Sequence, residues 1–251
     1  MMRSLVLAAL VLAVPGSAAQ ALTWGPFERY VYAHADVWPY TPWPGQTEVP
    51  VQSPQTVEFS TGEAGPLHRQ ADGPRGGFYD PEWGESASST WSNRASISQS
   101  STIGANTVAS YSEGRVRGTG DIGAPLAEGD SYLSITFTTD HAMNYAIAGS
   151  YELYGWSFLA SAGVSLVGSS GTIFDFPVAN YDDGSMLAGG SLPADTYTLV
   201  AFLSLRCGCE EFGMTEADEG FLEFTFSLTA IPEPSTALLL GVGLLALARR
   251  R

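Results

Sequence analysis

Leu222-Glu223-Phe224-Thr225-Phe226-Ser227-Leu228 alternates apolar and polar side chains without a break. A strand sends successive side chains to opposite faces, so Leu222, Phe224, Phe226 and Leu228 share one face while Glu223, Thr225 and Ser227 share the other. Strict alternation of this kind predicts a half-buried strand. The pattern recurs upstream: Leu133, Ile135 and Phe137 alternate with Tyr132, Ser134, Thr136 and Thr138, and Tyr197, Leu199, Ala201, Leu203 and Leu205 line one face of a further run. Weaker candidates are 88–98, 107–117, 143–148, 163–167 and 172–176. Turn clusters separate them, among them Asp182-Asp183-Gly184-Ser185, Gly168-Ser169-Ser170-Gly171 and Leu192-Pro193-Ala194-Asp195. No sustained 3.6-residue apolar repeat occurs between 22 and 230. Seven or eight short strands with such punctuation predict an all-β fold, an antiparallel β-sandwich or jelly roll, with strand order left open.

Working outward, the chain divides by composition into 1–21, 22–85, 86–230 and 231–251. Residues 22–85 hold most of the prolines and five of the six tryptophans lie between Trp24 and Trp91. Trp38-Pro39-Tyr40-Thr41-Pro42-Trp43-Pro44 reads as extended. Its aromatics either stack on the apolar C–H faces of sugar rings or cover a loop, with Trp24, Phe27, Tyr30 and Tyr32 packing under the sandwich as a first strand. The stretch 86–112 is rich in Ser and Ala and reads as a strand pair with small, polar outward positions, or as a spacer.

All eleven basic residues are arginine, and the formal net charge is −15. Seven of those arginines lie between Arg3 and the Arg249–Arg251 cluster, against 25 acidic residues outside the tail. Such a surface repels phosphate backbones, which argues against nucleic acid as a partner. Motifs of catalysis are few. His34, His68 and His141 lack metal-ligand spacing, there is no HExxH or GxSxG, and a chain without lysine has no SxxK dyad. No enzyme activity and no cofactor are expected. Paired carboxylates for a hydrolase are present in any chain this acidic and carry no weight.

Cys207 and Cys209 are the two cysteines. They form a local disulfide, an intermolecular cross-link or free thiols; metal binding would need two further ligands. Glu210, Glu211, Glu216, Asp218 and Glu219 follow in what reads as a hairpin tip between Leu205 and Phe221. Hard oxygen ligands gathered there would suit Ca²⁺, although the spacing is not that of an EF-hand and a solvated acidic loop is the alternative.

The two ends carry signals of another kind. Arg3, the apolar run from Leu5 to Val14, and the small-x-small triplets Ser17-Ala18-Ala19 and Ala19-Gln20-Ala21 predict a signal peptide cleaved by signal peptidase after Ala19 or Ala21. At the other end Pro232-Glu233-Pro234-Ser235-Thr236 reads as a non-helical strut, because proline fixes φ and supplies no N–H. An uncharged Leu- and Ala-rich run with Gly241 and Gly243 follows, and then Arg249-Arg250-Arg251. Twelve apolar residues reach about 18 Å as a helix, short of a hydrocarbon core of about 30 Å. A core helix or a permanent anchor are the plain alternatives, but the terminal arginines fit a cytoplasmic stop. The ordered set resembles the PEP-CTERM sorting tail, the substrate tag of exosortases. That resemblance covers the last tenth of the chain. It implies export across a Gram-negative-type envelope, transient insertion in the inner membrane, cleavage by exosortase, and release to the cell surface or extracellular matrix in association with exopolysaccharide. The expected protein is structural or adhesive; a carbohydrate-binding module and a secreted hydrolase are the alternatives.

Overall fold

The computed structural model describes residues 22–37, 47–48, 55–72, 76–79, 89–120, 125–155, 160–208 and 214–231. They form two antiparallel sheets and no helix. In chain order the strands are β1 Thr23–Val37, β2 Thr47–Glu48, β3 Gln55–Thr61, β4 Gly65–Asp72, β5 Gly76–Tyr79, β6 Ser89–Ile103, β7 Thr107–Gly120, β8 Pro125–Thr139, β9 Met143–Gly155, β10 Ser161–Gly168, β11 Gly171–Ala179, β12 Asp182–Leu192, β13 Asp195–Gly208 and β14 Met214–Ala230. One sheet has the order β11-β10-β13-β8-β1-β3. The other runs β12-β9-β14-β7-β6-β5-β2, with β4 also paired to β6. β1 and β8 pack over β6, and β13 over β7 and β14, which makes the architecture a sandwich.

The alternating runs behave as their spacing dictates. Leu222, Phe224, Phe226 and Leu228 are all buried, as are Leu133, Ile135 and Phe137, and Tyr197, Leu199, Ala201, Leu203 and Leu205. Phe137 joins the sheets: its ring centroid lies 5.3 Å from Phe226 across the core, 5.3 Å from Tyr197 beside it, and 5.5 Å from Trp24. The five weaker candidates are strands too, each longer than its sequence limits. The described residues therefore form fourteen strands where seven or eight are expected, and several reach 13 to 17 residues rather than being short.

β1 belongs to the same body as the later strands, lying between β8 and β3. Its Val31, Ala33 and Ala35 point inward, while Tyr30, Tyr32 and His34 stack in a half-buried outer ladder with centroid separations of 6.2 and 6.1 Å. Tyr30 and Tyr32 thus do not pack under the sandwich as expected. The register shifts between Trp24 and Phe27, and this bulge brings both residues against the core although they are three apart. The expectation for the serine-rich stretch also needs correction. Ser96, Ser98 and Ser100 face outward, but Ser101, Ser110 and Ser112 face inward, and Ser112 Oγ lies 2.9 Å from Ser131 Oγ of the opposing sheet.

That half of the interior is small and polar, with alanines and serines where the other half has Leu and Phe. It accommodates Arg29, only 1% exposed. Its guanidinium donates to Gln99 Oε1 at 3.1 Å, the Gln99 carbonyl at 3.2 Å, the Glu63 carbonyl at 2.7 Å and the Gly65 carbonyl. Gln99 in turn donates to the Tyr132 carbonyl at 3.1 Å. Burial pushes the Arg29 pKa down, yet the side chain keeps acceptors on several sides. It ties the turn between β3 and β4 to the core.

Candidate functional site

Strand order on the outer face of the second sheet assembles a site that no single segment contains. Register pairs Tyr111, Glu113 and Arg115 of β7 with Glu223, Phe221 and Glu219 of β14. The same three β14 residues pair with Ser150, Glu152 and Tyr154 of β9. All nine positions alternate with buried neighbours and so face outward. They make a three-by-three array. Phe221 occupies its centre, four glutamates lie on its sides, and Tyr111 and Tyr154 stand at opposite corners.

A groove of about 320 Å³ takes in seven of the nine positions, leaving Ser150 and Glu223 beside it, and continues across the strands to Ser96 and Ser98 of β6 and His68 of β4. Tyr111 stacks on Phe221 with centroids 6.2 Å apart, and Tyr154, 51% exposed, meets Tyr181 edge-on at 5.7 Å. Tyr111, Phe221 and Tyr154 therefore form an aromatic diagonal across three strands. With strands about 4.8 Å apart and a rise of about 3.4 Å per residue, each diagonal step is about 8 Å at the backbone. Glu113 accepts hydrogen bonds from Tyr111 Oη at 2.6 Å and Ser98 Oγ at 3.3 Å. The first of these holds the phenol proton and pushes the Tyr111 pKa up to about 12, with burial and the charges of Glu113 and Glu223 adding to it. Arg115 pairs with Glu219 at 3.5 Å. Among the described residues it is the one arginine bridged to a glutamate of the array.

Of the residues singled out from sequence, Glu219 lies in the array and His68 borders the groove; the others fall elsewhere or outside the described residues. Cys207 closes β13, fully buried and paired in register with Ala127; Cys209 lies outside the described residues. Glu210 and Glu211 also lie outside them. The acidic tip is shorter than its sequence reading, because β14 starts at Met214 and takes in Glu216, Asp218 and Glu219. Asp218 is buried against Gly155, where a Cβ would come within 2.2 Å of its carboxylate, while Glu219 faces out toward Arg115. Asp218 and Glu219 thus lie on opposite faces of β14. No group of three His, Cys, Asp or Glu side chains fit to hold a metal occurs among the described residues. Trp38, Tyr40, Trp43 and the signal segment 1–21 lie outside the described residues, as do Pro232, Glu233, Pro234, Ser235, Thr236 and Arg249, Arg250, Arg251.

His34 Nδ1 lies 2.8 Å from Thr56 Oγ1 at one edge, His141 contacts Asp140 in the turn after β8, and His68 borders the groove. The three do not meet. The array was not visible in the sequence, where Glu113, Glu152 and Glu223 are only outward positions on three separate strands and Glu219 reads as part of an acidic tip. A signal existed in Tyr111, Tyr154 and Phe221, large aromatics on the polar side of their strands.

Comparison with known proteins bears on the end of the chain. Residues 230–251 match the family model described as the PEP-CTERM protein-sorting motif. This chain carries a PEP-CTERM sorting motif. The match begins at Ala230, the last residue of β14, so the motif follows the sandwich directly. Exosortase is thereby the processing partner, and the protein is one targeted for export to the cell surface or beyond. No curated protein matches the chain. Among solved structures, a GH31 alpha-xylosidase from Xanthomonas citri aligns at 6% identity over 85% of this chain and 37% of the enzyme, with a TM-score of 0.19. Likeness of that size carries no argument about fold or activity.

Proposed function

We propose that the PEP-CTERM chain is a structural or adhesive component of the cell surface or extracellular matrix, associated with exopolysaccharide and without catalytic activity. The observation that carries this reading is the sorting motif directly behind the final strand of an acidic sandwich. Signal peptidase removes 1–21, and the apolar run before Arg249 holds the protein briefly in the inner membrane until exosortase cuts near Pro232-Glu233-Pro234. Short-lived retention suits a span too short for comfortable residence in a bilayer.

The carbohydrate-binding reading merges with this one, because the aromatic diagonal offers apolar faces for sugar rings on a sheet exposed to solvent. The hydrolase reading draws less support. The groove is shallow and open, whereas glycoside hydrolysis calls for two carboxyl groups flanking a bond in a site that controls water.

Intact-mass measurement of protein recovered from the medium tests the route. Chains lacking both 1–21 and the tail are expected, and recovery of chains ending at Arg251 would overturn exosortase processing. Pro232→Ala together with Pro234→Ala should extend helix through the cleavage region and leave the protein in the membrane fraction. Co-sedimentation of the wild-type protein with the host's own exopolysaccharide tests the destination.

A further inference from the structure

Resting on the glycan-binding reading, we infer that the outer groove of β7, β14 and β9 takes a polysaccharide whose sugars carry free amino groups. Three observations converge on that ligand class. The groove is open to solvent and not an enclosed cavity, so it can take a segment of a polymer lying over the sheet. Its diagonal of Tyr111, Phe221 and Tyr154 spans about 16 Å at the backbone, from two steps of strand spacing and rise, which is wider than one pyranose ring. Pyranose C–H faces stack on such rings, and a chain crossing the sheet obliquely meets them in turn.

Charge then selects among glycans. Glu113, Glu152, Glu219 and Glu223 surround Phe221, and Arg115 compensates Glu219 alone. A uronic-acid or sulfated polymer would bring anions onto this surface and be repelled. A neutral polymer would stack on the rings but leave the carboxylates with water. An ammonium group on a sugar ring matches both features: its three N–H donors reach carboxylates beside the ring that the pyranose covers, and a cation over Phe221 gains from the ring face as well. Arg94 and Arg117 stand opposite one another beyond the Arg115 corner, and Arg94 is bridged to Asp72 at 2.6 Å. They lie outside the groove, whose lining holds Arg115 as its one arginine.

The secreted protein, as recovered from cells, can be titrated at pH 5.5 with a β-1,4-linked glucosamine hexamer and with the fully N-acetylated hexamer, followed by calorimetry. At least ten-fold tighter binding of the glucosamine hexamer is expected. Glu152→Gln with Glu223→Gln should erase that preference while leaving the weaker binding of the acetylated hexamer. Phe221→Ala and Tyr154→Ala, each verified by thermal melting to be folded, should weaken both. Equal affinity for the two hexamers overturns the amino-sugar assignment and leaves glycan binding standing. Binding of neither overturns both. Polylysine binding that matches the glucosamine hexamer and survives Phe221→Ala would show charge alone at work, and would overturn the groove as a sugar site. Retention of full affinity in the folded Phe221→Ala and Tyr154→Ala proteins would move the site elsewhere.

Discussion

At the scale of single residues, Arg29 and Tyr111 show how one side chain reports its surroundings. Arg29→Met removes a buried cation but strands the carbonyls of Glu63, Gly65 and Gln99 that accept from it. Orphaned buried acceptors cost about 1–3 kcal/mol each when water cannot reach them. The variant should lose about 3 kcal/mol in urea unfolding and show faster amide exchange in 62–64; a loss under about 1 kcal/mol would mean that the turn is held by other contacts. Tyr111 adds a dependence on pH. Its folded pKa, about 12, lies above the ordinary phenol value of 10.0, so between those limits the unfolded chain sheds a proton that the folded chain keeps. Stability from the Tyr111–Glu113 bond is fully present below pH 10 and declines as pH rises through 12. Tyr111→Phe should flatten that decline, and Glu113→Gln should bring the phenol back toward 10 in a difference titration of phenolate absorbance. Neither residue announced itself in the sequence. Arg29 sits among aromatics that suggest only packing, and Tyr111 sits in a Ser- and Ala-rich stretch that reads as a strand pair or a spacer.

At the scale of elements, alternation read from sequence located β8, β13 and β14, and the physics of a face buried against another sheet explains why. Phe137 on β8 touches Trp24, Tyr197 and Phe226, so Phe137→Ala should open a cavity at the centre of both sheets and cost about 3–5 kcal/mol by denaturant titration. Phe202, on the opposite face of β13 and 39% exposed, should cost far less when cut to alanine. Equal losses at the two positions would contradict the division between inner and outer faces. Elements without that division were illegible. β3 has no fully buried residue and packs only Val57 partly against the core, so burial selects too few of its positions to leave an alternation to read. At the start of β12, Asp182-Asp183-Gly184-Ser185 reads as a turn. The chain instead reverses at Asn180-Tyr181, where Tyr181 adopts φ 61°, and β12 begins at Asp182. Its polar and glycine-rich sequence reflects a strand bonded, among the described residues, on one side to β9.

At the scale of the whole molecule, strand order decides what the sequence could not. Glu113, Phe221 and Glu152 lie far apart along the chain and become neighbours only because β14 inserts between β7 and β9. The sorting motif, by contrast, is contiguous, which is why it was fully readable in advance. Insertion of β14 has a mechanical side. It is 17 residues long, about 55 Å at about 3.3 Å per residue, and is bonded on both flanks: to β7 from Met214 to Ser227 and to β9 from Asp218 to Ala230. A pull at its C-terminal end, where the sorting motif attaches, lies along the strand and at right angles to those bonds. They then share the tension together rather than parting one by one, as they would if β12 were peeled from its edge. Phe221 sits on that same strand, so a load applied at the groove would pass straight into the element that leads to the sorting motif.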